Sequence, residues 1–425
     1  MGEGPKIAVL AEPKDLVSGA ESAGGGVIES VALEGALRNE REAKGGQAGL
    51  EDGGVGNGKL ELDFSALHGL SIRRSGPVDL LMCNAGRYDK RVSSVHRTER
   101  LRSDQVGRAA EILRGGGTVA FPTETVYGLG ANAFDAAAVA RIFEAKGRPA
   151  WDPLIVHVSE QAMLSGVASV SPDAETLIAA FWPGPLTLLL PRSAAVPDVV
   201  TAGRPLVGVR MPRHPLALRL IALGGVPIAA PSANRFGRTS PTMAAHVLED
   251  LDGRIDAVLD GGATEVGVES TVYDVAAGVI YRPGAVTAAM IAAVTGVEVR
   301  VYQAPAVQGA PESLPSPGVG MRHYAPRARL VLVRDEEEMQ EQVVKLLSFG
   351  QRVGVMLPTG WASAMGAVIF PWALWKDGGG LARSLFAGLR ELDGAGVVVI
   401  VCPVPQVGGV GVALRDRLEK AARRS

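Results

Sequence analysis

The sequence predicts an α/β protein with more than one domain, and three observations carry this prediction. First, segments typical of strands and of amphipathic helices are mixed along the chain without a strict repeat, which favours a twisted sheet packed against helices. Second, 425 residues are enough for two or three domains with cores of their own. Third, a segment rich in proline and glycine interrupts the pattern after about residue 300, as expected of a linker.

The first of these domains is predicted to span residues 98–300. Its first helix lies in SDQVGRAAEILRGG, where apolar residues recur at helical spacing, Ser103 is the expected N-cap and glycines end the helix. Further helices are predicted in AAAVARIFEAKGR, ETLIAAFW and HPLALRLIALGG. Strands are predicted in TVAFP, PLIVHV, PLTLLLP, LVGVRMP, VPIAAPSAN, DAVLDGG, STVYDV and VIYRPG.

The second domain is predicted to span residues 328–425, after a linker at 301–327. It begins with a β-α-β unit formed by ARLVLV, EEEMQEQVVKLLSFG and RVGVMLP. A helix in ARSLFAGLRELD, a strand in VVVIVCP and a terminal helix in ALRDRLEKAARR follow. This alternation is typical of a small doubly wound, Rossmann-like domain.

Residues 1–97 differ from the rest of the chain and are predicted to be a low-complexity or disordered extension. Segments such as EAKGGQAGLEDGGVGNGK are rich in glycine and charge and lack periodicity, as in flexible linkers. PKIAVLAE and PVDLLMCNAG have the apolar character of short strands.

Composition and charge narrow the range of functions. The formal net charge is -2 at pH 7, so no overall basic field favours nucleic acid, although a local basic groove can still bind RNA. Cys83 and Cys402 are too few for a disulfide framework or a cysteine zinc site, and they fit a reducing compartment. No apolar run reaches the roughly 18 residues of a membrane span, and the acidic N-terminus lacks the pattern of a secretory or transit signal. We therefore expect a cytoplasmic protein with no membrane partner, although the sequence does not separate the cytosol from an organelle.

Polar side chains are concentrated where the predicted strands end. FPTETVYGLGANAF, residues 121–134, places threonines, a carboxylate and a tyrosine directly after a strand. Lys146 and Arg148 in EAKGRP can face one anion, or they can simply cap the C-terminus of a helix. Ser232 and Asn234 in APSAN can form an anion cradle, or only a turn.

Further charged and polar residues lie within or at the ends of strands of the same domain. Arg210 lies in an apolar strand, where it either binds a substrate carboxylate or forms a buried ion pair. His157 in LIVHV is by itself more typical of a core residue, and Ser270 and Arg282 lie at the ends of other strands. Ligands of α/β sheets bind at such strand ends. The chain has no P-loop and no strict GxGxxG after a strand, so a nucleotide would be held by side chains and an irregular cradle.

Eight motifs, taken in order, resemble the YrdC/Sua5 family: PTETVYGLGANAF, AKGRP, PLIVHV, WPGPLTLLL, VGVRMPRHP, PIAAPSANRFGRTSPT, GVESTVYD and RPGAVT. The linker sequence SPGVGMRHYAP and the C-terminal domain are similar to the long, two-domain Sua5 form. The resemblance covers residues 98–425 and implies a YrdC-like domain with a twisted mixed sheet, followed by a smaller Rossmann-like Sua5 domain. The linker departs from the family pattern at Val319, where the family usually has methionine.

The resemblance implies the activity of a nucleotidyltransferase. Its substrates would be L-threonine, bicarbonate or carbon dioxide, and ATP, and its products L-threonylcarbamoyladenylate and pyrophosphate. Mg²⁺ would accompany the ATP. The adenylate would pass to a tRNA threonylcarbamoyl transferase, which forms N6-threonylcarbamoyladenosine at position 37 of tRNA (t6A37).

The resemblance also implies roles for single residues. Lys146 and Arg148 would stabilise developing charge, so that no covalent nucleophile is needed, and residues 315–326 would form a lid. Glu124 and Tyr127 are expected only to brace their loop. The threonine pocket would contain Thr123, His157, Arg210, Ala230 and Ser270, with Arg210 on the substrate carboxylate. The nucleotide would contact Lys146, Arg148, Ser232, Asn234, Ser240, Arg282 and Tyr324.

Two other functions remain as alternatives. A basic, concave YrdC-like cleft also suits a non-catalytic RNA-binding module. Carbamoyl transfer, as in the YrdC-like domains of hydrogenase maturation proteins, is the second alternative. Those proteins carry cysteine pairs and an acylphosphatase region, whereas this chain has two isolated cysteines.

Overall fold

The structure is a computed structural model of the chain, which divides into two compact units, Met1–Val92 and Ser93–Ser425. Among the described residues, no helix has both the length and the apolar character needed to cross a membrane. The domain boundaries predicted above stay predictions. The residues described are 7–9, 60–62, 97–303, 316, 324–406 and 408–423.

The first unit contributes two short strands to the described part of the chain. β1 (Ile7–Val9) pairs antiparallel with β2 (Leu60–Leu62). β1 lies within PKIAVLAE, so the strand predicted there is confirmed, whereas β2 is not among the predicted strands. The strand predicted in PVDLLMCNAG, the predicted disorder of the remaining extension and Cys83 lie outside the described residues.

The second unit contains a large mixed sheet, which confirms the predicted α/β class. Its strands are β3 (Glu99–Leu101), β4 (Val119–Phe121), β5 (Gly128–Asn132), β6 (Ile155–His157), β7 (Leu186–Pro191), β8 (Leu206–Arg210), β9 (Ile228–Ala229), β10 (Ala257–Leu259), β11 (Thr271–Asp274), β12 (Val279–Arg282) and β13 (Arg300–Val301). Their order across the sheet is β13-β12-β11-β7-β8-β6-β9-β5-β4-β10-β3. β6 and β8 are parallel, and His157 pairs with Arg210 in their register. The two side chains that end these strands therefore lie side by side.

Helices pack on this sheet around two mainly aliphatic cores. The larger core includes Ile142, Val156 and Leu177, and the smaller one includes Leu113 and Phe121. The low aromatic content of the sequence predicts this character. Up to residue 303 the described helices are α1 (Val106–Arg114), α2 (Ala136–Lys146), α3 (Gln161–Ser165), α4 (Pro172–Phe181), α5 (Asp198–Thr201), α6 (Pro215–Gly224), α7 (Ala244–Leu251) and α8 (Ala288–Thr295).

Local signals place the ends of the helix that leads into the site. α2 begins after Asp135, whose carboxylate accepts hydrogen bonds from amides of the first turn. It ends at Gly147, whose φ of 61° is the left-handed conformation that favours glycine. For α1 the predicted cap is wrong. Ser103 begins a 3-10 turn and Gln105 occupies the N-cap position, because the tighter turn already supplies the first backbone hydrogen bonds.

The C-terminal part of the second unit forms a four-stranded parallel sheet, which confirms the predicted Rossmann-like domain. Its strands are β14 (Arg329–Val333), β15 (Val353–Thr359), β16 (Val368–Leu374) and β17 (Val399–Pro403), in the order β14-β17-β15-β16. β16 is not among the predicted strands, because Pro371 is unfavourable within a strand and is tolerated at the edge position that β16 occupies. The helices are α9 (Glu336–Ser348), α10 (Gly378–Gly394) and α11 (Gly411–Ala422).

β5 is also absent from the prediction, because its sequence GLGAN is rich in glycine. A Cβ atom on Gly130 would lie 2.7 Å from Ile228 Cγ2 and 2.8 Å from Phe121 Cε1. Close approach of neighbouring side chains therefore requires glycine there and removes the usual strand signal. The short or weakly patterned elements β3, β13, α3, α5, α7 and α8 are likewise not among the predicted elements.

The two domains of the second unit are in direct contact. Arg383 on α10 donates from Nε to the carbonyl oxygen of Glu265 at 2.9 Å. Val126 and Val268 of the first domain share an apolar cluster with Phe386 of α10. The C-terminal domain therefore covers a surface next to the loops that follow β4 and precede β11.

Gly267 is the point of closest backbone approach in this contact, and we expect it to be sensitive to substitution. Its φ is 82° and a Cβ atom would lie 2.3 Å from the carbonyl oxygen of Ala382, whereas Gly262, with φ 81°, has open space around it. Gly267→Ala should lower the free energy of unfolding by about 3 kcal/mol or more, and Gly262→Ala by about 1–2 kcal/mol through backbone strain alone. Urea unfolding of both variants measures the difference, and equal losses would contradict the proposed clash.

Candidate active site

A cavity lies at the carboxyl ends of β4, β6 and β8 in the large sheet. Parallel strands such as β6 and β8 present their ends at one edge, so side chains distant in sequence meet there. Three of the predicted site residues, Lys146, Asn234 and Ser240, are not among the described residues that line the cavity. The predicted residues that do line it are Thr123, Arg148, His157, Arg210, Ala230, Ser232, Ser270, Arg282 and Tyr324.

The polar loop after β4 is held by its own hydrogen bonds. Thr123 Oγ1 donates to the carbonyl oxygen of Val126 at 2.6 Å and accepts from the amide of Thr125 at 3.2 Å. The Tyr127 hydroxyl donates to the carbonyl oxygen of Gly262 at 2.7 Å. Tyr127 thus braces the loop, which agrees with its expected role. Thr123 lines the cavity and also holds the loop in shape.

Arg210 forms the buried ion pair that is one of the two alternatives for its position, and it also lines the cavity. Its Nη2 lies 2.7 Å from Glu124 Oε1 in a buried ion pair, and its Nη1 donates to Thr125 Oγ1 at 2.9 Å. Nε donates to the carbonyl oxygen of Gly184 at 3.1 Å. Burial alone would raise the pKa of the Glu124 carboxyl, but the Arg210 guanidinium outweighs burial and holds that pKa below its usual value. Arg210 therefore enters the cavity wall as an oriented cation.

His157 lines the cavity as a neutral side chain. Its ring packs edge-on against Phe121, with 6.0 Å between centroids, and Nδ1 has no hydrogen-bond partner among the described residues. Burial, with repulsion from Arg210, lowers the pKa of His157 to about 3. The buried ring therefore packs on a core residue and keeps one nitrogen without a hydrogen-bond partner in the described part of the chain.

The low pKa of His157 predicts loss of stability in mild acid. The unfolded chain binds a proton at a pKa near 6.5 that the folded protein does not bind until about pH 3, so lowering the pH through this range favours unfolding. From pH 7 to pH 5 the free energy of unfolding should fall by roughly 2 kcal/mol through this ring. Urea unfolding at both pH values measures the fall. His157→Gln should show a smaller fall, and an equal fall in this variant would exclude His157 as its origin.

Lys146 lies behind the cavity wall and holds it in place. Its Nζ donates to the carbonyl oxygens of Ser232 and Asn234, each at 2.5 Å. Burial, followed by repulsion from Arg148, lowers the pKa of Lys146 well below its ordinary value. Asn234 Oδ1 is buried without a hydrogen-bond partner in the described part of the chain. The structure thus brings Lys146 and Arg148 of AKGRP together with Ser232 and Asn234 of APSAN, and Lys146 does not cap α2.

Arg148 presents its guanidinium to the cavity from the segment after α2. Its Nε and Nη2 donate to the carbonyl oxygens of Asp152 and Pro153 at 3.1 and 2.7 Å. Nη2 also lies 2.9 Å from Asp152 Oδ1, in an ion pair with only 4% and 2% of the two side chains exposed. Burial lowers the pKa of the Arg148 guanidinium, which an arginine tolerates while staying charged.

The opposite side of the cavity contains a second arginine network. Arg282 donates from Nε to the carbonyl oxygen of Ser270 and from Nη2 to Ser270 Oγ, both at 3.0 Å. Ser270 Oγ is 2.8 Å from Thr187 Oγ1, a residue that sequence reasoning missed because it lies inside the strand β7. Burial lowers the pKa of Arg282. Ser270 and Arg282 therefore act as one hydrogen-bonded pair in the cavity wall.

Tyr324 is the described linker residue that reaches the cavity. It adopts a φ of 65°, which a bulky residue takes up only when surrounding contacts fix it. Its ring stacks on Phe386 with 5.8 Å between centroids, and the Arg417 guanidinium lies 5.0 Å from its centroid. The C-terminal domain thus holds Tyr324 against the site. Most of the remaining predicted lid, including Val319, lies outside the described residues.

Glu269 is a cavity residue that sequence reasoning missed. It lines the cavity beside Ser270, and its carboxylate accepts hydrogen bonds from Ser240 Oγ and from Arg417 Nε, the latter at 2.7 Å. The predicted nucleotide residue Ser240 is therefore bonded to the wall instead of lining it. A carboxylate directly before a predicted site serine was the available signal.

The described residues contain no group of three or more histidine, cysteine, aspartate or glutamate side chains that could hold a metal ion. Phosphate oxygens commonly supply much of the coordination of Mg²⁺ in nucleotide sites.

Two family models match the chain one after the other. Residues 111–284 match the Sua5, YciO and YrdC model, which is described as "Telomere recombination". Residues 286–423 match "Threonylcarbamoyl-AMP synthase, C-terminal domain". A threonylcarbamoyl-AMP synthase of Pyrococcus abyssi is 46% identical over 333 residues, which cover 76% of this chain and 96% of the relative.

The chain belongs to the Sua5/YrdC family of threonylcarbamoyl-AMP synthases. A second member, from Bacillus subtilis, is 44% identical over 324 residues and is covered over 93% of its length. The crystal structure of P. abyssi Sua5 complexed with L-threonine is similar with a TM-score of 0.71 and 43% identity, covering 76% of this chain and 97% of that one. The predicted family, fold class and enzyme class, an adenylyl-transferring nucleotidyltransferase, are therefore confirmed.

Proposed function

We propose that the protein makes L-threonylcarbamoyladenylate and pyrophosphate from L-threonine, bicarbonate or carbon dioxide, and ATP. The observation that carries this proposal is the convergence of Arg148, Arg210 and Arg282 around one buried cavity in a chain of this family. An amino-acid carboxylate and a triphosphate are both anionic, and arginine forks match their oxygens.

Threonine is proposed to bind between Arg210 and the apolar part of the wall. Nε and Nη1 of Arg210 each donate one hydrogen bond to the protein, and Nη2 forms the ion pair with Glu124. A guanidinium has five N–H groups, so at least two remain for the substrate carboxylate. His157 Nδ1 is available to the hydroxyl or ammonium group. Leu154 and Ala230 supply apolar surface to the threonine methyl group. One methyl group discriminates roughly tenfold, so serine should bind more weakly than threonine.

ATP is proposed to place its phosphates between Arg148 and Arg282. Ser232, in the wall, and Asn234, beside it, supply polar groups from a loop that Lys146 fixes by its two hydrogen bonds. Lys146 then acts by shaping the phosphate cradle, while Arg148 neutralises charge directly.

The proposed chemistry needs positioning and charge neutralisation more than a reactive side chain. The threonine amine and carbon dioxide form a carbamate, a carbamate oxygen attacks the α-phosphorus of ATP, and pyrophosphate leaves with the electron pair of the broken bond. The arginines offset the charge that develops on the phosphate oxygens. Mg²⁺ would arrive with ATP and add charge neutralisation there. A buried, covered cavity slows hydrolysis of the carbamate and of the mixed anhydride.

The product is proposed to serve a tRNA threonylcarbamoyl transferase in the formation of t6A37. We also propose that the protein has a local affinity for RNA and acts in the cytoplasm. A coupled reaction with purified transferase and unmodified tRNA tests it, because t6A nucleosides should appear only when both enzymes are present.

Mass spectrometry of the reaction mixture is the direct test of the activity. L-threonylcarbamoyladenylate should form with ATP, L-threonine and bicarbonate together, and should be absent when any one is omitted. Formation of carbamoyladenylate from carbamoyl phosphate and ATP, with release of phosphate and pyrophosphate and without threonine, would favour the carbamoyl-transfer alternative. Calorimetric titration measures binding of threonine and of ATP to the protein. The proposed enzyme should bind both, whereas a non-catalytic RNA module should bind neither.

A further inference from the structure

Arg417 on α11 connects the C-terminal domain to the wall of the cavity. The side chain is 1% exposed, and its Nε donates to Glu269 Oε2 at 2.7 Å. Nη2 donates to the carbonyl oxygen of Pro283 at 3.0 Å, and the guanidinium lies 5.0 Å from the Tyr324 ring centroid. Two of these three partners, Glu269 and Tyr324, line the cavity.

Glu269 has the wrong charge for a site that receives anions. It is the single carboxylate among the described residues that line the cavity, whose other charged lining residues are Arg148, Arg210 and Arg282. An uncompensated carboxylate there would repel phosphates and would attract an arginine away from them. Something must therefore cancel its charge when an anionic ligand enters.

The hydrogen bonds that hold the Glu269 carboxylate come from Ser240 and Arg417 and leave the cavity arginines free of a direct bond to it. One oxygen of Glu269 accepts from Ser240 Oγ and the other accepts from Arg417 Nε. Burial alone would raise the pKa of the Glu269 carboxyl, but the Arg417 charge, followed by the Arg282 charge and the hydrogen bond from Ser240, keeps that pKa below its ordinary value. Arg417 also pairs with Asp416, but Lys420 Nζ lies 2.8 Å from Asp416 and compensates that second carboxylate.

We propose that Arg417 is a positioning residue that neutralises and orients Glu269, so that the C-terminal domain sets the charge of the nucleotide side of the cavity. The proposal rests on the proposed function, because it concerns the binding of ATP there. Without Arg417, Glu269 would turn towards Arg282, the cavity arginine whose charge already acts on it, and would compete with phosphates for it.

A purely structural role for Arg417 makes a different prediction, and Arg390 provides the comparison. Arg390 on α10 also joins the two domains, since its guanidinium lies 2.7 Å from Asp250 and 3.0 Å from Glu249. None of these three residues lines the cavity in the described part of the chain. Loss of domain contact alone should affect Arg390 and Arg417 variants in the same way.

The experiment measures ATP and L-threonine dissociation constants by calorimetry on the full chain. Arg417→Met should weaken ATP binding at least about tenfold, and threonine binding less, because it leaves a buried carboxylate uncompensated beside the phosphates. Arg417→Met/Glu269→Gln should restore ATP binding to within about threefold of wild type, whereas Glu269→Gln should not improve ATP binding in Arg390→Met. If Arg417→Met does not fold, Arg417→Lys, which keeps the charge, should bind ATP within about threefold of wild type.

Three results would overturn the inference: wild-type ATP affinity in Arg417→Met, no recovery in the double variant, or a loss of ATP affinity in Arg417→Lys as large as in Arg417→Met. Absence of ATP and threonine binding in the wild-type protein is a separate result, and it would contradict the proposed function itself.

Discussion

Arg210→Gln is expected to weaken L-threonine binding at least about 100-fold, because an amide cannot replace a guanidinium that pairs with a carboxylate in a buried site. The change should also lower the free energy of unfolding by roughly 3–5 kcal/mol. The reason for the second effect is that Glu124, with 1% of its side chain exposed, would lose its ion-pair partner at 2.7 Å. Calorimetric titration and urea unfolding measure the two effects independently.

A double variant separates substrate binding from folding. Arg210→Gln/Glu124→Gln removes the unpaired carboxylate, so most of the lost stability should return, while threonine binding should stay weak. Wild-type threonine affinity in the folded double variant would show that Arg210 serves only as the structural partner of Glu124.

Arg148→Gln is expected to reduce pyrophosphate formation about 100- to 1000-fold, the usual effect of removing one charge-stabilising donor from an active site. Arg148 is one of the arginines that line the cavity, and its guanidinium is already oriented by the carbonyl oxygens of Asp152 and Pro153. The rate is measured with ATP, L-threonine and bicarbonate at saturation.

Two control variants separate a loss of activity from a loss of stability. Arg148→Gln/Asp152→Asn removes the buried carboxylate left behind, and it should remain inactive although more stable. Arg141→Gln removes another arginine of the α2 region, whose side chain is 44% exposed and pairs with Asp256 on the surface. Such exposed pairs contribute about 0–1 kcal/mol, so Arg141→Gln should keep wild-type rates. Rates equal to wild type in Arg148→Gln would remove Arg148 from the mechanism.

The position of the candidate site at the strand ends could be predicted from the sequence, because its polar residues stand out against apolar strands. His157 and Arg210 end strands that are otherwise apolar, and parallel strands bring such ends together. The contacts that a single residue makes were harder to predict from the sequence. Lys146 could be recognised as part of a pattern, but its bonds to two carbonyl oxygens of another loop depend on tertiary packing.

Elements and pairs with no local signal could not be predicted. β5 is disguised by glycines that close packing requires, as at Gly130. Glu269 and Arg417 are 148 positions apart. Glu269 stands directly before a predicted site serine, but no pattern in the sequence pairs it with Arg417. Their pairing follows from how α11 docks on the first domain, which periodicity and spacing do not encode.

The docking of α11 has a consequence for biosynthesis. The first domain emerges from the ribosome well before Arg417 is translated. At that stage Glu269 lacks its ion-pair partner, and Val126 and Val268 lack their contact with Phe386. A nascent chain at this stage would have an incomplete cavity and an exposed apolar surface around Val126 and Val268. If Arg417 acts as proposed, the charge of the cavity would reach its final state only after α11 has been translated and has docked on the first domain.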